Sequence, residues 1–205
     1  MSRIVIRDGD VDTAVIAEYE ATRRDAMRRG IAVGGTLLAA TSIPLLLRVR
    51  NAFAQSEGDG DAGILTAAIG LEQTAVVAYD TAAASGLLDA ATTKVAEKFR
   101  DQEQEHADAL KTALEELGGT APSPPKPEDV EGLSGLESQA DVANFAIELE
   151  TMAVAAYYDA HQKLEDVKLL QTGASIMANE GQHLVVLRQA VKKDPVPNAF
   201  ETGER

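Results

Sequence analysis

Glu103 and His106, in DQEQEHADAL, and Glu180 and His183, in ANEGQHLVVL, repeat one spacing: a carboxylate three residues before an imidazole. Residues three apart share a helix face, so each pair aims two metal-competent groups in one direction. The chain has 3 histidines, and two of them fall in this spacing. The positions at steps of three and four around them are mostly apolar. Ala96, Phe99, Ala107 and Leu110 flank the first pair, and Gly173, Ile176, Met177, Leu184 and Leu187 flank the second. A carboxylate on such a core-facing stripe is very unfavourable without a partner. Partners lie on two further stripes. Glu72 sits with Leu65, Ala68, Ile69, Ala75, Val76 and Tyr79, and Glu150 with Ala143, Ala146, Ile147, Ala153, Val154 and Tyr157. Four carboxylates and two imidazoles thus face one interior, where small alanines leave room between the helices. Carboxylate oxygens can bridge two ions while an imidazole terminates each, a set suited to divalent first-row metals. Two divalent cations would neutralise the charge of about −4 that four ionised carboxylates carry. The alternative is a metal-free core in which Glu–His hydrogen bonds satisfy the same groups.

Tyr79 and Tyr157 each follow their glutamate by seven residues, two turns away on nearly the same face. They are either ordinary hydrogen-bonded core tyrosines or groups that bond a ligand carboxylate or relay an electron. His161 lies eleven residues past Glu150, roughly 16 Å along the axis, too far for the same metal pair. Solvent exposure or packing at the end of the bundle is expected for it. Glu97, Asp101, Glu105 and Glu148 lie off or beside the stripe; surface charge is expected of them, with a seventh metal ligand from one of them as the alternative.

The elements that must position these groups are legible from glycine and proline. Helices are expected over about Ile64 to Ala84, Asp89 to Leu117, Glu137 to Lys163 and Glu165 to Lys192, broken at Ser85-Gly86, at Gly118-Gly119 and at Asp194-Pro195. No segment alternates with period two, so the fold class is all-α. Pro122, Pro124, Pro125 and Pro127 make the crossover linker, about 118-136, an extended polyproline-like strap. Its roughly 20 residues reach about 60 Å, more than the roughly 40 Å of the second helix. Short turns make helices one and two, and three and four, antiparallel hairpins, with one long crossover between them. An internal repeat agrees. LEQTAVVAYD at Leu71 is echoed by LETMAVAAYYDA at Leu149, offset 78, and the two Glu-x-x-His pairs are offset 77. Two similar hairpins packed face to face would produce such offsets.

The 205-residue chain has no cysteine, which excludes disulfides and thiolate metal sites. Residues 1-54 read as an export signal. Thr22 to Arg28 contains Arg23-Arg24, an apolar stretch runs from Gly30 to Leu47, and Ala52-Phe53-Ala54 is a small-x-small cleavage pattern. The arginine pair resembles the twin-arginine (Tat) pattern, with Ala26 where a large apolar residue is usual. Arg48 and Arg50, beyond the stretch, suit that route. The expected destination is the periplasm, cell envelope or exterior. A membrane association arises only if the signal stays uncleaved as an anchor, for which about 18 residues is near the lower limit. No later stretch is expected to be long and apolar enough to cross a bilayer. Those 54 residues hold 8 of the 19 basic and 6 of the 33 acidic side chains, leaving residues 55-205 at −16. That acidity argues against nucleic acid and anionic lipid as partners. Phe145 or Tyr158 is expected at an exposed apolar face suited to a homodimer.

One Glu from each of two helices plus a Glu-x-x-His from each of two others is the pattern of ferritin-like di-iron and di-manganese carboxylate bundles. From about Ala62 to Lys192 the chain resembles the exported ferritin-like domain family, which includes desiccation-related proteins, and its metal motif is similar to those of rubrerythrins and bacterioferritins. The resemblance implies a ferritin-like four-helix bundle with Glu72, Glu103, His106, Glu150, Glu180 and His183 as metal ligands, and Glu103 and Glu180 or their lone counterparts bridging. It implies two iron ions, or two manganese or a mixed pair, reacting with O2 or peroxide in a ferroxidase or peroxidase type of oxidoreductase linked to oxidative stress. A manganese catalase-like enzyme and a non-enzymatic stress or desiccation bundle are the alternatives. The chain departs from rubrerythrins in lacking the cysteine-bound iron domain, and from cage-forming ferritins in its short, proline-containing tail after Lys193.

Overall fold

A computed structural model describes residues 60–203. The twin-arginine-type signal region lies outside the described residues. The described part contains four long helices and no strand: α1 (Gly60–Ala84), α2 (Ala90–Glu116), α3 (Gln139–Ala160) and α4 (Val167–Ala190).

Local chemistry sets the helix ends, which fall within a few residues of the expected bounds. Asp89 caps α2 by accepting from the backbone N–H groups of Ala91 and Thr92 at 3.0 and 2.8 Å. Ser138 caps α3 through Asp141 N–H, and Asp166 caps α4 through Lys168 and Leu169. At the end of α2, Gly118 takes φ +79, and the N–H groups of Gly118 and Gly119 return to the carbonyls of Glu115 and Leu114. This is the left-handed termination for which glycine has no Cβ penalty.

The four helices pack as two hairpins, α1 on α2 and α3 on α4, with α1 against α3 and α2 against α4 across the interior. Two contacts give the relative direction. Asp61, at the start of α1, accepts from the N–H groups of Glu165 and Asp166 in the turn between α3 and α4. Gln139, at the start of α3, accepts from Asp89 N–H in the turn after α1. Helices α1 and α3 therefore run in opposite directions, and the crossover traverses the length of the bundle.

The crossover differs from the extended strap expected of it. It is irregular through Lys126, then forms single 3-10 turns at Pro127–Asp129 and Leu133–Gly135. Val130 and Leu133 are buried, because an apolar pair on a long linker lowers its free energy by folding against the bundle. Gln73 of α1 ties the linker down, its Nε2–H donating to Pro122 O at 3.1 Å.

One further expectation is corrected. α1, with mean hydropathy 1.3, is long and apolar enough to cross a membrane. Its alanine, isoleucine, leucine and valine residues raise its hydropathy, while most of its apolar side chains are covered by its neighbours and it carries the buried Glu72. Of the two residues expected at an outer face, Tyr158 is exposed and Phe145 is half-buried against the core. His161 lies at the end of α3, its ring nitrogens 2.5 Å from Tyr157 O and 3.2 Å from Leu170 O, which is end-of-bundle packing.

Candidate metal centre

The six sequence-predicted residues come together at the centre of the bundle. Glu72, Glu103, Glu150, Glu180 and His183 are buried, and His106 is half-buried. Each arrives by the same logic: core-facing stripes that are otherwise mostly apolar carry one glutamate on α1 and on α3 and a Glu-x-x-His pair on α2 and on α4. The order is symmetric. Around His106 Nδ1 lie Glu72 Oε2 at 3.4 Å, Glu103 Oε2 at 3.4 Å and Glu180 Oε1 at 3.1 Å. Around His183 Nδ1 lie Glu150 Oε1 at 3.2 Å, Glu103 Oε1 at 3.1 Å and Glu180 Oε2 at 3.1 Å. Glu103 and Glu180 belong to both groups, one oxygen to each.

In each group one donor atom per residue lies within 4.8 Å of the others, so each could hold a metal ion. The donor set fits first-row divalent cations. A second observation agrees. Glu103 Oε1, both oxygens of Glu180 and Nδ1 of both histidines are buried with no hydrogen-bond partner. Buried polar atoms are nearly always satisfied, so five orphaned atoms around one point call for a species that accepts their lone pairs.

Protons occupy that role in the metal-free protein. Burial alone lowers the His106 and His183 rings, but the surrounding carboxylates outweigh it and raise them to about 12 and about 11. Glu103, despite burial, is held at about 2 by the two imidazoles. Burial raises Glu72 and Glu150 well above the usual carboxylate range, helped by the charges of Glu103 and Glu180.

The tyrosines cross over. Tyr79 donates to Glu150 of the other hairpin, and Tyr157 donates to Glu72 Oε1 at 2.5 Å. Burial and the adjacent carboxylates push both phenols up, so they remain donors. In the metal-free protein Tyr79→Phe and Tyr157→Phe are each expected to cost about 1–3 kcal/mol, because a buried carboxyl loses its donor. Urea unfolding measures this, and two variants as stable as wild type would show that these bonds hold nothing. His161 takes no part in the cluster, and Glu97, Asp101 and Glu105 are exposed.

Sequence reasoning missed Gln102, whose Oε1 lies 2.9 Å from His183 Nε2. Its type and spacing carry no signal; only its place beside Glu103 points to it. Phe99 was legible as core but not as the ring that stacks on His183.

Comparison with known proteins agrees with this architecture. No curated protein has a significantly similar sequence. A conserved hypothetical protein from Mycobacterium tuberculosis, 18% identical, superposes with a TM-score of 0.56 over 70% of this chain and 99% of its own, a likeness of fold. The profile of the ferritin-like domain family matches residues 60–193. With this match over most of its length, a four-helix all-α bundle and a central Glu/His cluster able to hold metal, the chain belongs to the ferritin-like domain family.

Proposed function

We propose that the protein is an exported dinuclear metal-carboxylate oxidoreductase, with Glu72, Glu103, His106, Glu150, Glu180 and His183 as ligands of two iron ions. The observation that carries this reading is the placement of Glu103 and Glu180, each with one oxygen in either donor group. Two ions held side by side would supply two electrons to O2 or peroxide, as ferroxidase or peroxidase chemistry requires. The chain's own residues do the rest. The four glutamates set charge and spacing, His106 and His183 cap the two ends, and Tyr79 and Tyr157 hold Glu150 and Glu72 in place across the hairpins. Burial of five of the six groups excludes bulk water from the centre. The Arg23-Arg24 region supports export by the twin-arginine route, which moves folded proteins and so permits metal loading before export.

Metal analysis by mass spectrometry on protein purified from its native compartment tests the reading, with assays of Fe(II) oxidation and peroxide consumption. About two iron ions per chain and peroxide- or O2-dependent Fe(II) oxidation are expected. Two manganese ions with peroxide dismutation would favour the catalase-like form. Substoichiometric metal, equal in wild type and in a Glu103→Ala, Glu180→Ala variant, would move the protein to the non-enzymatic bundles.

A further inference from the structure

The repeat that builds the cluster is two-fold in its Glu, His and Tyr residues but not in what touches the two imidazoles. At the offset of 77 that relates His106 to His183, Gln102 corresponds to Asn179 and Phe99 to Ile176. On one side these residues bear directly on the site. Gln102 Oε1 accepts from His183 Nε2 at 2.9 Å. Phe99 stacks on the His183 ring, centroids 3.9 Å apart and planes 25° from parallel. Phe99 also meets Tyr79 edge-on at 5.7 Å, and Tyr79 donates to Glu150. His183, Glu150, Tyr79 and Phe99 therefore form one packed unit, with the His183 side chain 1% exposed. The other side keeps the matching Tyr157–Glu72 bond but lacks the supports of the imidazole itself. Asn179 is one methylene shorter than Gln102, and among the described residues no hydrogen bond joins it to His106. Ile176 offers no ring to stack on. The His106 side chain is 13% exposed.

An imidazole whose far N–H is held by an acceptor keeps one tautomer, with the other nitrogen's lone pair aimed at the ligand position. It needs no reorientation on binding. A ring without that support, and in contact with solvent, can turn away and let water compete. Resting on the dinuclear reading above, we infer that the two metal positions are inequivalent. The position at His183 and Glu150 is pre-formed, tight and slow to exchange. The position at His106 and Glu72 is the one through which metal enters and leaves. Gln102 is the positioning residue that sets the difference.

The test is a titration of the metal-free full-length chain with Co(II), whose visible absorption reports coordination, followed by removal with EDTA. The first Co(II) is expected to bind about 10–100-fold tighter than the second, the range typical of an outer hydrogen bond to a ligand. EDTA is then expected to withdraw one ion quickly and one slowly. His106→Ala retains the slow ion and loses the fast one, and His183→Ala does the reverse. Gln102→Leu weakens the tight step by about 10–100-fold and merges the phases, whereas Gln102→Glu, which keeps the acceptor, preserves them. The nitrogen NMR shifts of His183 change tautomer pattern in Gln102→Leu alone, a readout that mere loss of packing would not move. Circular dichroism checks that each variant is folded. A single phase for two ions, a tight step that disappears with His106→Ala, or two steps indifferent to Gln102→Leu overturns the inference and leaves the dinuclear reading standing. A folded chain that binds no Co(II) overturns both.

Discussion

Stripping metal from the loaded chain is expected to lower its unfolding temperature by about 10 °C, and the Glu103→Ala, Glu180→Ala variant is expected to show no such drop. A ligand that binds only the folded state, present at about a thousand times its dissociation constant, stabilises by about 4 kcal/mol. For a domain of this size each kcal/mol moves the midpoint by about 2–4 °C. The variant is chosen because Glu103 and Glu180 each place one oxygen in either donor group, so removing both damages both positions at once. Glu72 or Glu150 alone would damage one. Differential scanning calorimetry with and without chelator makes the measurement. A wild-type midpoint unmoved by both chelator and added metal would sink the dinuclear site, whatever the protein's activity.

Loading is expected to release at least two protons per pair of ions, so the overall two-ion binding constant rises by at least about a hundredfold per pH unit between pH 6 and 8. His106 and His183, raised to about 12 and about 11, carry protons at neutral pH that coordination must displace. Glu72 and Glu150, raised by burial, add to that number. The metal-free protein should respond with the opposite sign. Groups whose folded-state pKa is raised bind more protons folded than unfolded, so their stabilisation fades as pH climbs above the unfolded values, near 4.5 for the two glutamates and 6.5 for the histidines. Glu103, held at about 2, acts the other way, and its contribution is lost as pH falls from 4.5 toward 2. The metal-free bundle is therefore most stable near pH 4.5 and loses stability as pH rises above it, more steeply above 6.5, while metal binding strengthens over the same rise. Calorimetric titration in two buffers of different ionisation enthalpy counts the protons. Metal affinity independent of pH would show that the ions bind elsewhere.

Much of this was legible in the sequence because helical periodicity is local. Ser85-Gly86 and Gly118-Gly119 mark helix breaks in the sequence, so those bounds follow from residues a few positions apart. The 77 and 78 offsets expose the duplicated hairpin, and with it the four carboxylates and two imidazoles that share one interior. Apolar flanks around a carboxylate reveal that it is buried, since burial is what those flanks do.

What no spacing could supply is the geometry between chain segments far apart in sequence. Either the Glu-x-x-His glutamates or the lone ones could have bridged; the packing of α2 against α4 puts Glu103 and Glu180 in both donor groups. Each tyrosine lies on its own glutamate's face, yet Tyr79 reaches Glu150 and Tyr157 reaches Glu72, because α1 and α3 run in opposite directions and each phenol overlaps the other helix's carboxylate. The crossover's proline run says extended chain, and only the hydrophobic surface it meets folds Val130 and Leu133 inward. The difference between His183, fixed by Gln102 and Phe99, and the half-buried His106, which has neither support, arises the same way. A residue's type limits what it can do, and its neighbours across the bundle decide which of those things it does.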